Sequence, residues 1–508
     1  MKTFSFLPTV IAAGFFLLTS ATALCSLPAG YEALDANVRG ALASAEALAR
    51  TSATELRSPL SAEEIAKLAA ARNPEALEAL TRVRKELIGA RKELGLPDLN
   101  AAIEARDFDR IPGFNSMQGN MFSLSRMWPL GDKLSRRALI RFREAEKAFQ
   151  EYETVLRNQL RDARVALAEV CSAERQIAIL DENISLLSEL AQVASARYAT
   201  GQGGQQDILK AETEVARQQN DRLEMERMAG VARAMVNQLL ARPATTPLPA
   251  LASPPTSASI ASEELLEAAA QANLPELKAA RAGIERARAE RDLALSEKHR
   301  PDLTGQVGVM QNPEGTRTGW QAMVAINLPW FSKRRDYEVT EMATGIDAEN
   351  RRYEAVWNKA RFDIRESMLR VQEAARSVAL FRDRLLPVAR QALASARAAY
   401  ETSLADFLSL IDAQRALRDV AMGQARASAD LARRAAELER ALGAPRARLM
   451  GKSVGQASVP ARKPHHHWRA GTPALLFSSE TPTALPPSAR APEVHWHIDC
   501  GTLEPHDA

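Results

Sequence analysis

Apolar and small residues recur at alternating spacings of three and four between about positions 134 and 199, where they form one long seam. The seam positions are Phe142, Ala145, Phe149, Tyr152, Leu156, Leu160, Ala163, Leu167, Val170, Ala173, Ile177, Leu180, Ile184, Leu187, Ala191, Ala194 and Tyr198. This heptad spacing predicts a helix that packs against other helices along its whole length. At 1.5 Å per residue the helix would be about 100 Å long.

Two later segments alternate with a period of two, which predicts a β-hairpin. The residues predicted to share a face are Leu303, Gly305, Val307 and Val309 on one strand, and Trp320, Ala322, Val324, Ile326 and Leu328 on the return strand. Strands of about ten residues with one apolar face are typical of a membrane barrel, although a half-buried soluble sheet alternates in the same way.

An earlier hairpin is less regular. Phe122, Leu124 and Trp128 share a face with Arg126, a residue type that a lipid-facing position should not carry. The two hairpins supply four strands, which are too few to close a membrane barrel. A barrel would therefore require several chains.

Turn and cap residues divide the rest of the chain into further helices. A helix is predicted from Ser61 to about residue 94, with a break at Asn73-Pro74, and its second copy begins at Ser262 and ends at Arg300-Pro301. Return helices are predicted from about 207 to 240 and up to about 442, each ended by a nearby proline.

The chain repeats itself. The segment 123–133, which contains Trp128-Pro129-Leu130-Gly131-Asp132-Lys133, returns as 323–333, and Tyr198-Ala199-Thr200-Gly201 returns as Tyr400-Glu401-Thr402-Ser403. Two halves of about 180 residues can be aligned with only short insertions. A duplicated unit of helix, hairpin and very long helices predicts a tube rather than a globule with a cleft.

The N-terminus has the pattern of an export signal. Lys2 precedes an apolar stretch from about 4 to 18, and Ala21-Thr22-Ala23 is a small-x-small cleavage site. Cys25 raises the alternative of a lipoprotein cysteine, but the bulky Leu24 before it favours simple cleavage. No later window contains about 18 uninterrupted apolar residues, so no transmembrane helix is predicted.

The predicted organisation therefore has six parts. They are a signal peptide (1–23), an irregular or helical lead-in (24–60), a first repeat (61–243), a linker (244–261), a second repeat (262–445) and a tail without a packed fold (446–508). Three cysteines do not make a disulfide framework, and Cys171 is predicted to be a small packed residue.

Composition and charge exclude several classes of function. The 66 lysines and arginines nearly balance 63 acidic residues, and the net charge of +3 gives no reason to expect nucleic-acid binding. The sequence has no nucleophile elbow, phosphate loop or HExxH motif, so we expect neither an enzyme nor a cofactor.

These repeated motifs resemble the TolC-like outer membrane efflux proteins, most closely the heavy-metal branch typified by CusC and CzcC. The resemblance covers about residues 61–445 and includes Gln205-Gln206-Asp207-Ile208 and Ile326-Asn327-Leu328-Pro329. It implies a homotrimer with a twelve-stranded barrel in outer membrane lipid and a periplasmic tube of long helices. It also implies two partners, a periplasmic adaptor (membrane fusion) protein and an inner-membrane pump of the resistance-nodulation-division type.

The function that the resemblance implies is a passive exit duct of a tripartite efflux system, with heavy-metal cations as cargo. Two alternatives remain open. One is an outer membrane duct for organic compounds or for type I protein secretion. The other is a periplasmic coiled-coil adaptor, although the lipoyl-like β-domains that usually flank an adaptor hairpin are not evident.

The resemblance also points to site residues. The periplasmic tip, where adaptors dock, would include Thr200, Gly201, Gln202, Thr402, Ser403 and Leu404. Ser403 departs from the glycine usual at this turn. The candidate gate residues are Asp412 and Asp207. Asp412 either contributes to a ring of three carboxylates or pairs locally with Arg415, whereas Asp207 is expected to be an N-cap.

The tail contains the candidate metal ligands. They are His465, His466, His467, His495, His497 and Cys500, whose imidazole and thiolate groups suit copper, zinc or nickel. A metal site needs several ligands that converge in space, and a chance abundance of histidine in the tail is the alternative.

Overall fold

Helices make up most of the structure, as the heptad spacing predicts. The computed structural model describes residues 26–50, 58–105, 120–201, 203–252, 262–311, 318–402 and 404–443. The predicted signal peptide and tail lie outside these residues. Within the described part, no helix has both the length and the apolar character needed to cross a membrane.

The first half contains five helices and two strands. They are α1 (Tyr31–Arg50), α2 (Ala62–Arg72), α3 (Pro74–Glu93), β1 (Asn100–Ala105), β2 (Asn120–Pro129), α4 (Lys133–Ala199) and α5 (Gln205–Leu239). The lead-in is thus helical over α1. Its Tyr31 packs with Val38 against Leu87 and Phe142, and the Tyr31 hydroxyl donates to the carbonyl of Leu87 at 3.0 Å. The lead-in therefore belongs to the core of the first repeat.

The second half repeats this order. It contains α6 (Glu263–Asn273), α7 (Pro275–His299), β3 (Asp302–Gln311), β4 (Thr318–Ile326), α8 (Lys333–Leu380), α9 (Leu386–Glu401) and α10 (Phe407–Leu442). A short 3-10 turn (Pro329–Phe331) precedes α8, and a π-helical segment (Phe381–Leu385) joins α8 to α9. The predicted duplication and the mainly α fold class with a small β part are confirmed.

Local capping explains where the short helices begin. Ser61 and Glu64 form a reciprocal capping box at the start of α2, and the side chain of Asn73 accepts from the amide of Glu75 at the start of α3. Pro74 stands in the first turn, where its missing N–H is not needed. The predicted break at Asn73-Pro74 is therefore confirmed. Pro275 makes the same break between α6 and α7, which the sequence analysis did not identify.

The four strands form one antiparallel sheet in the order β1-β2-β3-β4. The register pairs Leu303 with Ile326, Val307 with Ala322 and Val309 with Trp320, so the residues predicted to share a face do share it. Phe122 and Leu124 of β2 pair with Val309 and Val307 and extend the same face. The outer edges of β1 and β4 have no neighbouring strand among the described residues.

Arg126 lies on this apolar face, where it was unexpected. Its Nε donates to the carbonyl of Pro97 at 3.1 Å, just before β1. The guanidinium group is thus turned back toward the backbone at the end of the sheet. Trp128 lies over Gly305, where a Cβ would come within 2.6 Å of the indole ring.

Charged side chains fasten the sheet to the helices. Lys133, which is 1% exposed, donates to Asp302 at 2.6 Å and so joins the start of α4 to the start of β3. Asp132 accepts from Ser296 at 2.7 Å, and it also accepts from Arg300 at 2.8 Å. Asp132 and Lys133, at the end of the first hairpin, are therefore each bonded to a residue of the second repeat.

Helix α4 is the centre of the helical layer. It packs on α3 and α7 near the sheet and on α5 and α10 farther away, and α8 in turn packs on α7 and α10. Its buried residues follow the predicted seam, including Phe142, Ala163, Val170, Leu180 and Leu187. Far from the sheet the order is therefore α5, α4, α10 and then α8–α9.

Candidate functional site

The turn between α4 and α5 is built on a left-handed glycine. Gly201 has φ +74°, a conformation that only glycine adopts without strain, and its amide donates to the carbonyl of Tyr198 at 3.0 Å. Thr200 ends α4, and its hydroxyl donates to the carbonyl of Arg197 at 3.0 Å. The predicted end of the long helix at this glycine is confirmed.

The turn between α9 and α10 is held differently. The carboxylate of Asp406 accepts from the amide of Ser409 at 3.0 Å and from its hydroxyl at 2.7 Å. Both bonds lower the pKa of Asp406 below its ordinary value. The hydroxyl of Thr402 donates to the carbonyl of Ala398 at 3.0 Å, and Leu404 is 84% exposed.

An apolar cluster holds the two turns side by side. Tyr400 stacks edge-on against Phe407 with ring centroids 5.6 Å apart, and both rings pack on Leu187 and Leu190 of α4. Arg197 donates to the carbonyl of Tyr400 at 2.9 Å, and its guanidinium lies 4.7 Å from the Tyr400 ring centre. The two turns therefore form one unit at the end of the helical layer.

The two tyrosines of the repeated motif occupy different environments. Tyr400 is 7% exposed inside the cluster, whereas Tyr198 is 49% exposed. Each tyrosine is the last residue but one of its helix, but the surroundings of the two side chains differ. Because Leu404 and Tyr198 both reach solvent, this end of the layer presents apolar surface.

A buried carboxylate lies near these turns. Glu214 of α5 is 2% exposed, and it accepts from Arg415 at 2.7 and 3.1 Å and from Arg418 at 3.2 Å. Burial opposes its ionisation, but the hydrogen bond from Arg415 and the charges of Arg415, Arg418 and Arg217 outweigh burial and lower its pKa. The arrangement clamps α5 to α10 through ion pairs that are largely removed from water.

Asp412 makes the local pair that was one of its two predicted roles. It is exposed, and it accepts from Arg415 at 3.2 Å within the same helix. Arg415 also donates to Glu214 of α5, and Arg418, one turn further along α10, does the same. The ring of three carboxylates remains a prediction.

Asp207 is not the N-cap of its helix. Gly204 occupies that position, and Asp207 lies in the first turn of α5, where its amide donates to the carbonyl of Gly204 at 3.1 Å. The helix begins two residues earlier than predicted, at Gln205, which moves Asp207 inside it. A carboxylate there still complements the helix dipole.

Several predicted site residues lie outside the described residues. They are Gln202, Ser403, Cys25, His465, His466, His467, His495, His497 and Cys500. In the described ranges, no three or more His, Cys, Asp or Glu side chains are grouped so that they could hold a metal ion. Cys171 is half-buried, and burial, followed by the nearby Glu174, raises the pKa of its thiol.

The sequence analysis missed Glu214, although a signal was present. Apart from Asn237, the buried positions of α5 are spaced by three, four or seven residues and are Ala211, Glu214, Gln218, Met225, Ala229, Ala232 and Val236. Glu214 and Gln218 are polar residues on this seam. A charged residue on a buried seam requires a partner, which could have directed attention to the arginines of α10.

Comparison with solved structures identifies the fold. The chain is similar to the outer-membrane channel OprN (TM-score 0.64, 18% identity, 76% of this chain and 90% of that chain). It is also similar to CusC, described as forming a transmembrane channel (TM-score 0.65, 16% identity, 76% of this chain and 92% of that chain). A third similar structure is the outer membrane protein VceC of Vibrio cholerae (TM-score 0.61, 15% identity, 75% of this chain and 96% of that chain).

Comparison at the level of sequence adds no relative. No family model matches the chain, and no curated protein matches it. The fold that the repeated motifs implied is thus confirmed through the structure, whereas the heavy-metal branch stays a prediction. The chain has the fold of the TolC-like outer membrane channels.

Proposed function

We propose that three copies of this chain form an exit duct in the outer membrane, with the sheet in the membrane and the helices in the periplasm. The observation that carries the proposal is the sheet itself. Its one apolar face includes Ile103 and Val324, each 73% exposed, and Ile326, which is 52% exposed. A soluble protein would cover such a face with other protein segments, whereas in a membrane an apolar face is stable in contact with lipid.

The edges of the sheet support a closed ring of chains. With four antiparallel strands, β1 and β4 run in opposite directions, so β4 of one copy can pair antiparallel with β1 of the next. Three copies give twelve strands, an even number typical of membrane barrels, and leave no edge unpaired. In lipid an unpaired strand edge would be costly because no water can satisfy it.

Exposed apolar side chains on the two outermost helices of the helical layer support the same assembly. On α5 they are Leu209, Leu223, Met228, Val231 and Met235, and on α8–α9 they are Phe362, Leu369, Leu380 and Val388. Helices α5 and α8–α9 form the two opposite lateral sides of the layer. A ring would bury both stripes by placing α5 of one chain beside α8–α9 of the next.

The proposed partners are a periplasmic adaptor at the helical tip and an inner-membrane pump of the resistance-nodulation-division type. The exposed apolar residues Tyr198 and Leu404 support docking at the tip. Cysteines introduced at Thr200 and Thr402 should crosslink to the adaptor in cells. They should also resist thiol reagents that act only from outside. Labelling of either cysteine on intact cells would mean that the topology is inverted.

The proposed cargo is heavy-metal cations. Support comes from the sequence motifs shared with the heavy-metal branch and from six histidines between 465 and 506. Deletion of the gene should make cells sensitive to specific metals in a growth panel of metals and drugs. Sensitivity to organic compounds alone would favour the alternative duct for organic molecules.

A charge placed on each face of β4 tests the membrane assignment. Val324→Arg puts a cation on the apolar face, which should cost about 2 to 4 kcal/mol at mid-bilayer and reduce the trimer recovered from outer membranes. Gln321→Arg, three residues away on the opposite face, is the matched control and should assemble normally. Equal recovery of both variants at wild-type levels would contradict a lipid-facing sheet.

A further inference from the structure

A groove lies between α4, α9 and α10, and none of the described tip residues lines it. Its volume is about 540 Å³, which is large enough for a drug-sized molecule. Apolar side chains from all three helices form part of its wall, among them Ile179 of α4, Leu386 of α9 and Leu417 of α10. The groove can therefore accept the apolar body of a ligand.

The charged groups that line the groove are mostly basic. They are Arg175 of α4, Arg390 of α9, Arg418 of α10 and one carboxylate, Glu182 of α4. Arg418 is engaged by Glu214 and Asp419. In the described part of the chain, neither Arg175 nor Arg390 makes an ion pair or side-chain hydrogen bond.

A buried polar atom also borders the groove without a partner. Gln414 is 1% exposed, and its amide nitrogen donates to Asn183, but its Oε1 has no hydrogen-bond donor. A buried acceptor without a donor costs free energy unless water or a ligand supplies one. Both Gln414 and Asn183 line the groove.

The third wall is shaped by the irregular segment before α9. The π-helical residues Phe381–Leu385 precede Pro387, which cannot donate a helical hydrogen bond. Phe381 packs on Gly423 of α10, where a Cβ would lie 2.6 Å from the ring. Leu386 and Arg390 follow directly. Helix α4, the corresponding long helix of the first repeat, has no such interruption along its length. This wall therefore exists in only one of the two repeats. Such π-bulges are frequent at functional sites.

We propose that this groove binds an amphipathic organic anion. Its apolar body would pack on Ile179, Leu386 and Leu417, and its carboxylate, sulfonate or phosphate would lie between Arg175 and Arg390. A hydroxyl or amine on the ligand, or a retained water, would donate to Oε1 of Gln414. Charge-assisted hydrogen bonds from arginine to an oxyanion are the strong contacts of this set. The site is independent of the proposed duct, because one chain supplies all of its residues.

Fluorescence anisotropy with hydroxypyrene trisulfonate tests the proposal. This water-soluble aromatic anion carries a hydroxyl donor, and the full chain would be titrated with it in a neutral detergent. We expect saturable binding that weakens with salt. Replacing both Arg175 and Arg390 by Gln should weaken binding about tenfold or more, since each removes a charge-assisted contact. Both side chains are exposed, so the fold should tolerate the changes.

Two further variants separate a site from general charge attraction. Arg227→Gln removes an exposed arginine of α5 outside the groove and should leave the affinity unchanged. Glu182→Gln removes the one carboxylate of the lining and should strengthen binding. The proposal is overturned by non-saturable binding, by an equal loss in Arg227→Gln, or by weaker binding in Glu182→Gln.

Discussion

Replacing Glu214 by Gln should loosen the contact between α5 and α10 while leaving the rest of the helical layer in place. The substitution keeps the size of the side chain and one acceptor oxygen, but removes the charge that faces two guanidinium groups. Arg415 donates to Glu214 at 2.7 Å and Arg418 at 3.2 Å, and the carboxylate side chain is only 3% exposed. No other ion pair with so buried a carboxylate joins these two helices in the described residues.

The size of the effect depends on the ion pairs that Arg415 and Arg418 retain in Glu214→Gln. Breaking a buried ion pair costs about 3 to 5 kcal/mol when the remaining charge is left alone. Here Arg415 keeps Asp412 at 3.2 Å. Arg418 keeps Asp419 at 2.8 Å. The arginine side chains are 35% and 17% exposed, so water also reaches them. We therefore expect a loss of about 2 kcal/mol, which is about a 30-fold change in the opening equilibrium.

Hydrogen exchange measures this opening directly. Amides of α5 around 211–218 and of α10 around 411–418 should exchange about 30-fold faster in Glu214→Gln, if opening limits exchange. Amides of α3, which does not contact the cluster, are the internal reference. Asp412→Asn is the matched control, because an exposed pair contributes about 1 kcal/mol or less.

The pKa of Glu214 predicts how the effect of Glu214→Gln on hydrogen exchange should change with pH. The pKa of Glu214 is lower in the folded chain than its ordinary value of 4.5. Its contribution is therefore fully present above 4.5 and is lost as pH falls through the lowered folded value. The difference between wild type and Glu214→Gln should shrink over that acid range. Equal exchange in wild type and Glu214→Gln at neutral pH would refute the clamp.

Three other substitutions should have local effects. Gly201→Val forces a β-branched residue to φ +74° and should cost about 1 to 2 kcal/mol, seen as faster proteolysis at the α4–α5 turn, with Gly40→Val in α1 as a helix control. Asp406→Ala removes the N-cap of α10 and should cost about 1 kcal/mol in thermal unfolding, whereas Asp406→Asn should retain most of it. Lys133→Met leaves Asp302 without its cation and should lower the yield of folded chain more than Lys298→Met, whose partner Asp336 is 59% exposed.

The long helices could be predicted from the sequence because their signal is periodic and extends over many turns. The predicted span of α4 began at Leu134, one residue after the observed start, and its end at Ala199 was correct. The strand faces were also predictable, since the register pairs Leu303 with Ile326 as alternation requires. In both cases many residues carry the same information, so single exceptions such as Arg126 do not obscure it.

Features that depend on contacts between distant segments could not be predicted in the same way. Glu214 meets Arg415 across 201 positions, and the pairing depends on how α5 and α10 are aligned in space. The start of α5 was misplaced because Gly204 and Asp207 are both acceptable N-caps by residue type. The π-helical segment, in which Phe381 packs on Gly423 of α10, was not predicted, although Pro387 could have indicated an irregular helix there.

A covalent link between β1 and β4 of neighbouring chains tests the proposed trimer most directly. In a chain whose three native cysteines are replaced by serine, Ala102→Cys would be combined in turn with a cysteine at Gln321, Met323 or Ala325. Ala102→Cys with Ser123→Cys, which are paired within one chain, controls for access of the oxidant. After oxidation of outer membranes, we expect at least one pair to give a ladder that ends at three chains on a non-reducing gel. Only monomer in all three pairs, while the control pair is oxidised, or a ladder beyond three chains, would contradict a closed ring of three.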